Sequence, residues 1–408
     1  MSSSSQPRPL TRASIVDAHT LIKPHIHLTP LLTSTTLTTL ASTPQSPSAL
    51  IGTPWENETP ASPKFRLFFK AENFQRIGAF KVRGAFHAVK RLIESEGIDE
   101  LRKTGVVTHS SGNHAQALAL AAKEFGIPAH IVMPGISTPS KIEGTKAQGA
   151  RVVFSGSTSE EREEVVTRVI KETGARLVPP YDAADIILGQ GTMALELESQ
   201  VAQAISNTPS LGGPNHQNSL HAVITPCGGG GMLSGNALAF NPTQTLVFGA
   251  EPSFQDADDA RRSLAAGERI PSVKSLTIAD GLRTPLGELN FKIVSDPANV
   301  AGIYAVTERN IRDAMRLVLE RMKCVVEPSA VVGLAVILYN EEFRKRVERE
   351  GGEDGWNVGV VLSGGNTTVE AVMKIFGDAE KEEGEQRLER AEGMLGVHGE
   401  RVAENVAG

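Results

Sequence analysis

Six short apolar runs set the strongest limit on what this chain can become. They are "GVVTHS" (Gly105–Ser110), "AHIVMP" (Ala129–Pro134), "RVVFSG" (Arg151–Gly156), "HAVITPC" (His221–Cys227), "TLVFGAE" (Thr245–Glu251) and "VGVVLSG" (Val358–Gly364). Most are near-continuous in apolar residues rather than alternating, so they read as strands covered on both faces. Most are also followed by a helical stretch, which is the pattern of a buried parallel sheet. Helices are predicted at about Asn113–Glu124, Pro139–Gln148 and Ser159–Thr173. The fold class is therefore α/β. A dinucleotide-binding fold does not fit, because no G-x-G-x-x-G follows an N-terminal strand.

The 408 residues, 40% hydrophobic and 22% charged, suffice for two domains or one large one. A formal charge of −6 argues against nucleic acid or an anionic membrane as partner, and aromatics at 5% leave little surface for stacking bases. No apolar run approaches the ~20 residues of a membrane helix. The start, Met1 to Pro9, lacks the apolar core of a secretory signal, although its serines and arginine leave an organelle transit segment open. Cys227 and Cys324 form no CxxC, which gives no zinc signal and suits a reducing, cytoplasmic setting. Without secretion, the sequons at Asn57 and Asn366 are accidental. Residues 34–63, rich in Ser, Thr and Pro, read as a flexible surface insertion, and 207–219 as another loop. The charged tail, 377–408, reads as an exposed helix or disordered segment.

"CGGGGMLSG" places Gly228, Gly229, Gly230 and Gly231 between a strand and a helix. Consecutive glycines let amides converge at a helix N-terminus, a cradle for a phosphate or similar dianion. The plainer reading is a flexible turn, but four glycines cost backbone entropy with no packing return. "SSGNH" (Ser110, Ser111, Gly112, Asn113, His114) could hold a carboxylate, or could simply cap a helix. "LSGGN" closes the last strand in the same style. Three small-residue loops at carboxyl ends of parallel strands mark the crevice of an open α/β sheet, and imply a ligand held at several points.

Lys81 follows Gly78-Ala79-Phe80 and precedes Val82-Arg83-Gly84. In isolation it would read as a helix-start lysine whose stem packs on apolar surface. Beside a phosphate cradle it has a more economical reading, a Schiff base with pyridoxal phosphate. Desolvation would then keep its amine partly neutral.

"NFQRIGAFKVRGA", "SSGNHAQALA", "GQGTMALE", "CGGGGMLSG", "RMKCVVEPSA" and "LSGGN" resemble, in this order, the serine/threonine dehydratase and serine racemase family. Among its members the chain resembles eukaryotic serine racemases and threo-3-hydroxyaspartate dehydratases most, from about Leu28 to Phe376. The resemblance implies the second fold type of pyridoxal-phosphate enzymes, with two open, mainly parallel sheets. A smaller domain, 105–181, would be inserted in a larger one made of 1–104 and 182–376, with Pro179 to Asp182 as the return. It implies that Lys81 carries the cofactor, Phe80 packs beside it and Asn113 bonds its ring hydroxyl. Gly228 to Gly231 with the Met232 amide would hold the phosphate, Ser363 would face the pyridine nitrogen, and Glu327 would lie near the ring. A hydroxyl partner leaves that nitrogen largely unprotonated, which favours loss of a β-leaving group over transamination. Ser110 to His114 would bind the substrate carboxylate, and Ser111 would serve as acid or base on the face opposite Lys81.

The implied reaction converts serine, threonine or 3-hydroxyaspartate to a 2-oxo acid and ammonia, with racemisation as a companion or principal outcome. A non-catalytic ligand-binding protein of the same fold is the reading from another class; the intact Lys81 speaks against it. A homodimer is also implied. Feedback control by isoleucine is not expected. The family's magnesium or calcium site falls on Glu251, Ala257 and Asp259, hard oxygen donors. Two extra residues separate Glu251 from "ADD" here, so Asp256 or Asp258 could substitute, or the acids could be a solvated helix start. On their own, His109 and His114 read as capping or structural residues and Cys227 as core packing. For Glu327 the plain alternative is a favourable charge at a helix start.

Overall fold

The computed structural model describes residues 8–137, 139–213 and 218–377. The N-terminal segment 1–7, the centre of the 207–219 loop and the tail 378–408 lie outside the described residues. The strands are β1 Leu31–Thr33, β2 Phe65–Ala71, β3 Val106–His109, β4 Ala129–Pro134, β5 Arg151–Ser155, β6 Arg176–Leu177, β7 Ala222–Pro226, β8 Leu246–Pro252, β9 Gly302–Val306 and β10 Trp356–Leu362. The helices are α1 Arg12–Ile22, α2 Thr35–Ser42, α3 Lys81–Glu96, α4 Ile98–Thr104, α5 Asn113–Phe125, α6 Pro139–Ala147, α7 Ser159–Thr173, α8 Ala184–Asn207, α9 Gly231–Phe240, α10 Asp259–Ala266, α11 Glu288–Val294, α12 Glu308–Leu317, α13 Val332–Tyr339 and α14 Glu341–Gly351.

They build two sheets, of order β1-β2-β10-β7-β8-β9 and β5-β4-β3-β6, parallel throughout except for the β1–β2 pair. All seven residues of β10 are buried, as expected for a central strand covered on both faces. Both sheets belong to one unit that ends at Asn366, while the described part of the next unit is helical over 369–377. The six strands and three helices expected from sequence are all present, within two residues at each end. Local chemistry sets several of these boundaries. Thr158 and Glu161 form a reciprocal capping box at the start of α7, and Gly126 ends α5 in the left-handed region.

One expectation needs correction. Residues 34–63 are not a structureless insertion: Ser34 caps α2, Leu37 and Ala41 are buried, and the stretch is anchored by Arg344. That guanidinium, buried in α14, donates to the carbonyls of Ala41, Thr43 and Ala61. The Ser/Thr-rich composition concealed a helix whose caps are hydroxyls.

Helix α8 sets the distance between the two functional ends of the fold. A Cβ at Gly189 would lie 2.7 Å from the Arg83 carbonyl oxygen in α3, and one at Gly191 would lie 2.6 Å from the Gly235 carbonyl oxygen in α9. The glycines of "GQGT" thus allow α3, α8 and α9 to meet at backbone contact, which brings the starts of α3 and α9 side by side. A buried ionic group locks this arrangement. Arg83 donates from Nε and Nη2 to Glu72, and from Nη1 and Nη2 to Glu196, all at 2.7–2.8 Å. Lys70 Nζ adds a 2.7 Å bond to Glu196 and one to the Thr29 carbonyl. Two cations and two carboxylates therefore neutralise one another away from water, with both forks of Arg83 filled.

Removing one member leaves an unpaired buried charge. Arg83→Met is expected to lower unfolding free energy by roughly 3–5 kcal/mol, measured by urea denaturation. Burial alone would raise the Glu196 carboxyl, but Arg83, His19 and Lys70 together hold it well below the usual range. Its stabilisation is therefore complete above the unfolded carboxyl value of about 4.3 and is lost as pH falls below it. Denaturation midpoints of the native protein should drop on acidification over that range.

Candidate active site

Three loops leave the carboxyl ends of the adjacent strands β2, β10 and β7, and they converge. The first approaches Lys81 through Ile77 and Gly78, both left-handed with φ of 56° and 74°. A left-handed isoleucine is strained, and here it is held from outside. Gly365 N donates to the Gly78 carbonyl, Ala79 bridges to Gly364, and Phe80 N donates to the Ser363 carbonyl at 3.1 Å. The second loop, carrying Ser363 at 3% exposure, is thus zipped to the turn before Lys81.

Lys81 is the first residue of α3 and is half-buried. Its Nζ donates to the Pro180 carbonyl at 2.8 Å and lies 5.3 Å from the centre of the Phe80 ring. Desolvation lowers its pKa to about 8, against a raising pull from Glu327. About a tenth of the amine is then neutral at pH 7, and half at pH 8.

The third loop is the glycine run. Among the described residues, the amides of Gly229, Gly230, Gly231 and Met232 donate to no protein acceptor. The side on which Cβ atoms would stand is filled instead. Added Cβ atoms would come within 3.0 Å of Leu282 at Gly228, 2.4 Å of Tyr181 at Gly229, 2.4 Å of Leu286 at Gly230 and 2.8 Å of Tyr181 at Gly231. Gly230 also has φ +91°, so only glycine fits there without strain. Four free amides at the start of α9 are thus available to an anion, and the packing behind them leaves no room for side chains.

From the second sheet, the turn after β3 brings Ser110 to Asn113. Ser110 Oγ accepts from Gly112 N at 3.3 Å, and Ser111 is half-buried within the turn. Asn113 Nδ2 donates to Glu327 Oε1 at 2.9 Å, Asn366 Nδ2 donates to Asn113 Oδ1 at 2.7 Å, and Asn366 N donates to Glu327 Oε2 at 3.2 Å. Glu327 is raised to about 7 by burial and by Asp280, with the Asn113 and Asn366 bonds opposing. It can therefore hold or release a proton near neutrality. His114 is buried, and its Nε2–H donates to the Val178 carbonyl. Burial, then Lys81, lowers it to about 3, so it is neutral, with Nδ1 a buried acceptor.

Glu251, Ala257 and Asp259 are also buried together, beyond the glycine loop from Lys81's side of the sequence. Glu251 accepts from the amides of Ala260 and Arg261, and Asp259 Oδ2 from Leu286 N, while Asp259 Oδ1 is buried without a partner. Burial and the neighbouring Asp259 push Glu251 well up. Between Glu251 and Asp259 the backbone turns left-handed at Gln255 and Asp256. No group of three or more His, Cys, Asp or Glu suited to a metal occurs among the described residues.

With the lysine, the free amides and the three loops in one crevice, the comparisons decide the family. A family model described as pyridoxal-phosphate dependent enzyme matches residues 49–364. The chain belongs to this family. The enzyme is similar to a serine racemase of Arabidopsis thaliana, 39% identical over 89% of this chain and 95% of the relative. It is also similar to an L-threo-3-hydroxyaspartate ammonia-lyase of Saccharomyces cerevisiae, 36% identical over 91% of this chain and 97% of that protein. The solved structure of maize serine racemase matches with TM-score 0.72 and 37% identity, over 91% of this chain and 98% of that one. The fold is accordingly the α/β arrangement of the second pyridoxal-phosphate fold type.

The residues present fit the cofactor: an amine with depressed pKa, and a run of amides without protein acceptors among the described residues, packed behind so that no Cβ fits. Sequence reasoning missed the Pro180 carbonyl and the Asn366 hinge between Asn113 and Glu327. Asn366 reads from sequence as a sequon and as a member of the "LSGGN" loop, without its partners, and a backbone carbonyl has no side-chain signature. The Lys81 amine of the cofactor-free enzyme should react with an amine-labelling reagent half-maximally near pH 8. Exposed lysines, with ordinary values near 10.4, should lag by about two pH units in the same mass-spectrometric series.

Proposed function

We propose that the enzyme eliminates the hydroxyl of a small β-hydroxy amino acid to give a 2-oxo acid and ammonia, and racemises such an amino acid by the same proton movements. The observation carrying this reading is the partly neutral Lys81 amine in one crevice with the four free amides of the glycine loop. Pyridoxal phosphate, held by Lys81 and Gly228 to Met232, supplies an electron sink for the charge left when an α-proton departs. Lys81 removes or returns that proton on one face, and Ser111 does so on the other. Ser110 to His114 hold the substrate carboxylate through hydroxyls and backbone amides, because the neutral His114 ring has its one N–H committed to Val178. Asn113 and Glu327 would set the hydrogen bonding at the edge of the cofactor ring, and Ser363, a hydroxyl in place of a carboxylate, would face its nitrogen without supplying a charge to hold a proton there. Phe80 forms the dry wall beside Lys81.

In this reading 105–181 is a smaller domain that closes over the substrate, supported by the separate sheet β5-β4-β3-β6. The protein is a cytoplasmic homodimer whose partner is a small amino acid rather than nucleic acid or membrane. No helix among the described residues is long and apolar enough to cross a membrane. Glu251, Asp259 and the Ala257 carbonyl hold a magnesium or calcium ion, supported by the unpartnered Asp259 Oδ1 and by two buried carboxyls that otherwise repel.

Incubating the enzyme with L- and D-serine, threonine and 3-hydroxyaspartate, and measuring 2-oxo acid and enantiomers together, tests the activity. Lys81→Ala should abolish both products and all borohydride-stable attachment of the cofactor. Ser111→Ala should cut racemisation by about 10²-fold or more, while elimination from the enantiomer served by Lys81 falls much less. Absence of either product from a cofactor-loaded enzyme sinks the reading. Chelation should lower the melting temperature by several degrees, and either Mg2+ or Ca2+ should restore it; an unchanged melting curve with no bound ion by elemental analysis removes the metal site.

A further inference from the structure

The segment Pro179 to Asp182, read from sequence only as a connection, is built into the cofactor crevice. Pro180 supplies the carbonyl that receives the Lys81 amine at 2.8 Å. The next residue turns its ring onto the glycine loop: a Cβ on Gly229 would stand 2.4 Å from Tyr181 Cγ and Cδ2. The Tyr181 backbone presses on the same loop, its carbonyl oxygen 2.8 Å from where a Gly231 Cβ would be. Asp182 then caps α11 by accepting from Leu289 N and Asn290 N.

The contact is held from behind. Asn290 Nδ2 donates both to the Tyr181 carbonyl, at 3.3 Å, and to the Gly229 carbonyl, at 2.8 Å. Gly287 N adds a second donor to the Gly229 carbonyl at 3.1 Å. These bonds fix the peptide on the carbonyl side of Gly229, which orients the Gly230 amide away from them and toward the open side. The ring itself is half-buried, and its Cγ, Cδ1 and Cδ2 atoms stand against the Gly229 backbone. Glycine has no side chain to hold it in one conformation, and an aromatic surface against it limits that freedom at little entropic cost of its own.

We propose that Tyr181 is a positioning residue for the phosphate cradle: its ring holds Gly229, while its backbone braces Gly231, so that the amides of residues 229–232 converge on a phosphate monoester. The inference rests on the reading that this cradle takes the phosphate of pyridoxal phosphate. The ring is what acts, and the phenol hydroxyl is not required.

The test uses cofactor-free enzyme and two ligands, pyridoxal phosphate and pyridoxal, which differ only in the phosphate. Equilibrium affinities are measured by absorbance or fluorescence for the native protein, Tyr181→Phe and Tyr181→Ala, with Tyr181→Leu replacing the last if it is recovered unfolded. Loss of the flat ring should weaken pyridoxal phosphate about tenfold, while pyridoxal changes less than twofold. Tyr181→Phe should match the native protein for both ligands. Three results overturn the proposal: unchanged affinity without the ring, equal weakening of both ligands, or a phenylalanine variant as weak as the alanine one. A native enzyme that binds both ligands equally well fails differently, because it removes the phosphate from the cradle and with it the underlying reading.

Discussion

The double fork of Arg83 on Glu72 and Glu196 is the interaction on which the rest of the molecule depends. Arg83 lies two residues beyond Lys81, so the two side chains leave α3 in nearly opposite directions. One is drawn inward by two carboxylates, one from the end of β2 and the other from α8. The other is thereby turned toward the crevice. The group is electrically balanced and shielded from water, and a guanidinium is the side chain able to satisfy two carboxylates at once. Such a group gains little net stability over an apolar one of the same shape, but it is intolerant of losing a member. Its value here is directional: it sets which way the first turn of α3 faces.

A second constraint acts with it. Glycines at 189, 191 and 235 let α8 touch α3 and α9 at the backbone, so the amine-bearing end of one helix and the free-amide end of the other are neighbours. A lysine alone is basic and hydrated, and a glycine turn alone is loose. Packed together, the amine is desolvated and drops to about 8, while the glycines are pressed into a cradle from the side that Cβ atoms would occupy. Glu327 is raised to about 7 by the same burial. Two groups with opposite ordinary charge preferences are thus brought to within reach of neutral pH, as acid–base chemistry requires.

Much of this was legible in the residues. The near-continuous apolar runs announced a parallel sheet because a strand buried on both faces needs no polar alternation. The four-glycine run stood out because so much lost backbone entropy calls for a compensating contact, and among the described residues its amides have no protein acceptor. Residues 34–63 misled, since hydroxyl-rich composition describes both a flexible loop and a helix with good caps, and only burial of Leu37 and Ala41 separates them. The strand β2 and the role of Asn366 were not apparent, because each takes its meaning from a partner more than 250 positions away.

By itself, the sequence determined the α/β class, the order of the loops and the family. These follow from local periodicity and from residue types that few other chemistries would use in that order. Only the tertiary structure decided which carbonyl the Lys81 amine meets, that His114 is neutral, that Asn113 and Asn366 share Glu327, and that Tyr181 backs the glycine loop. Such facts depend on distance and exclusion of water between segments far apart in the chain, and no pattern of neighbouring residues encodes a desolvation.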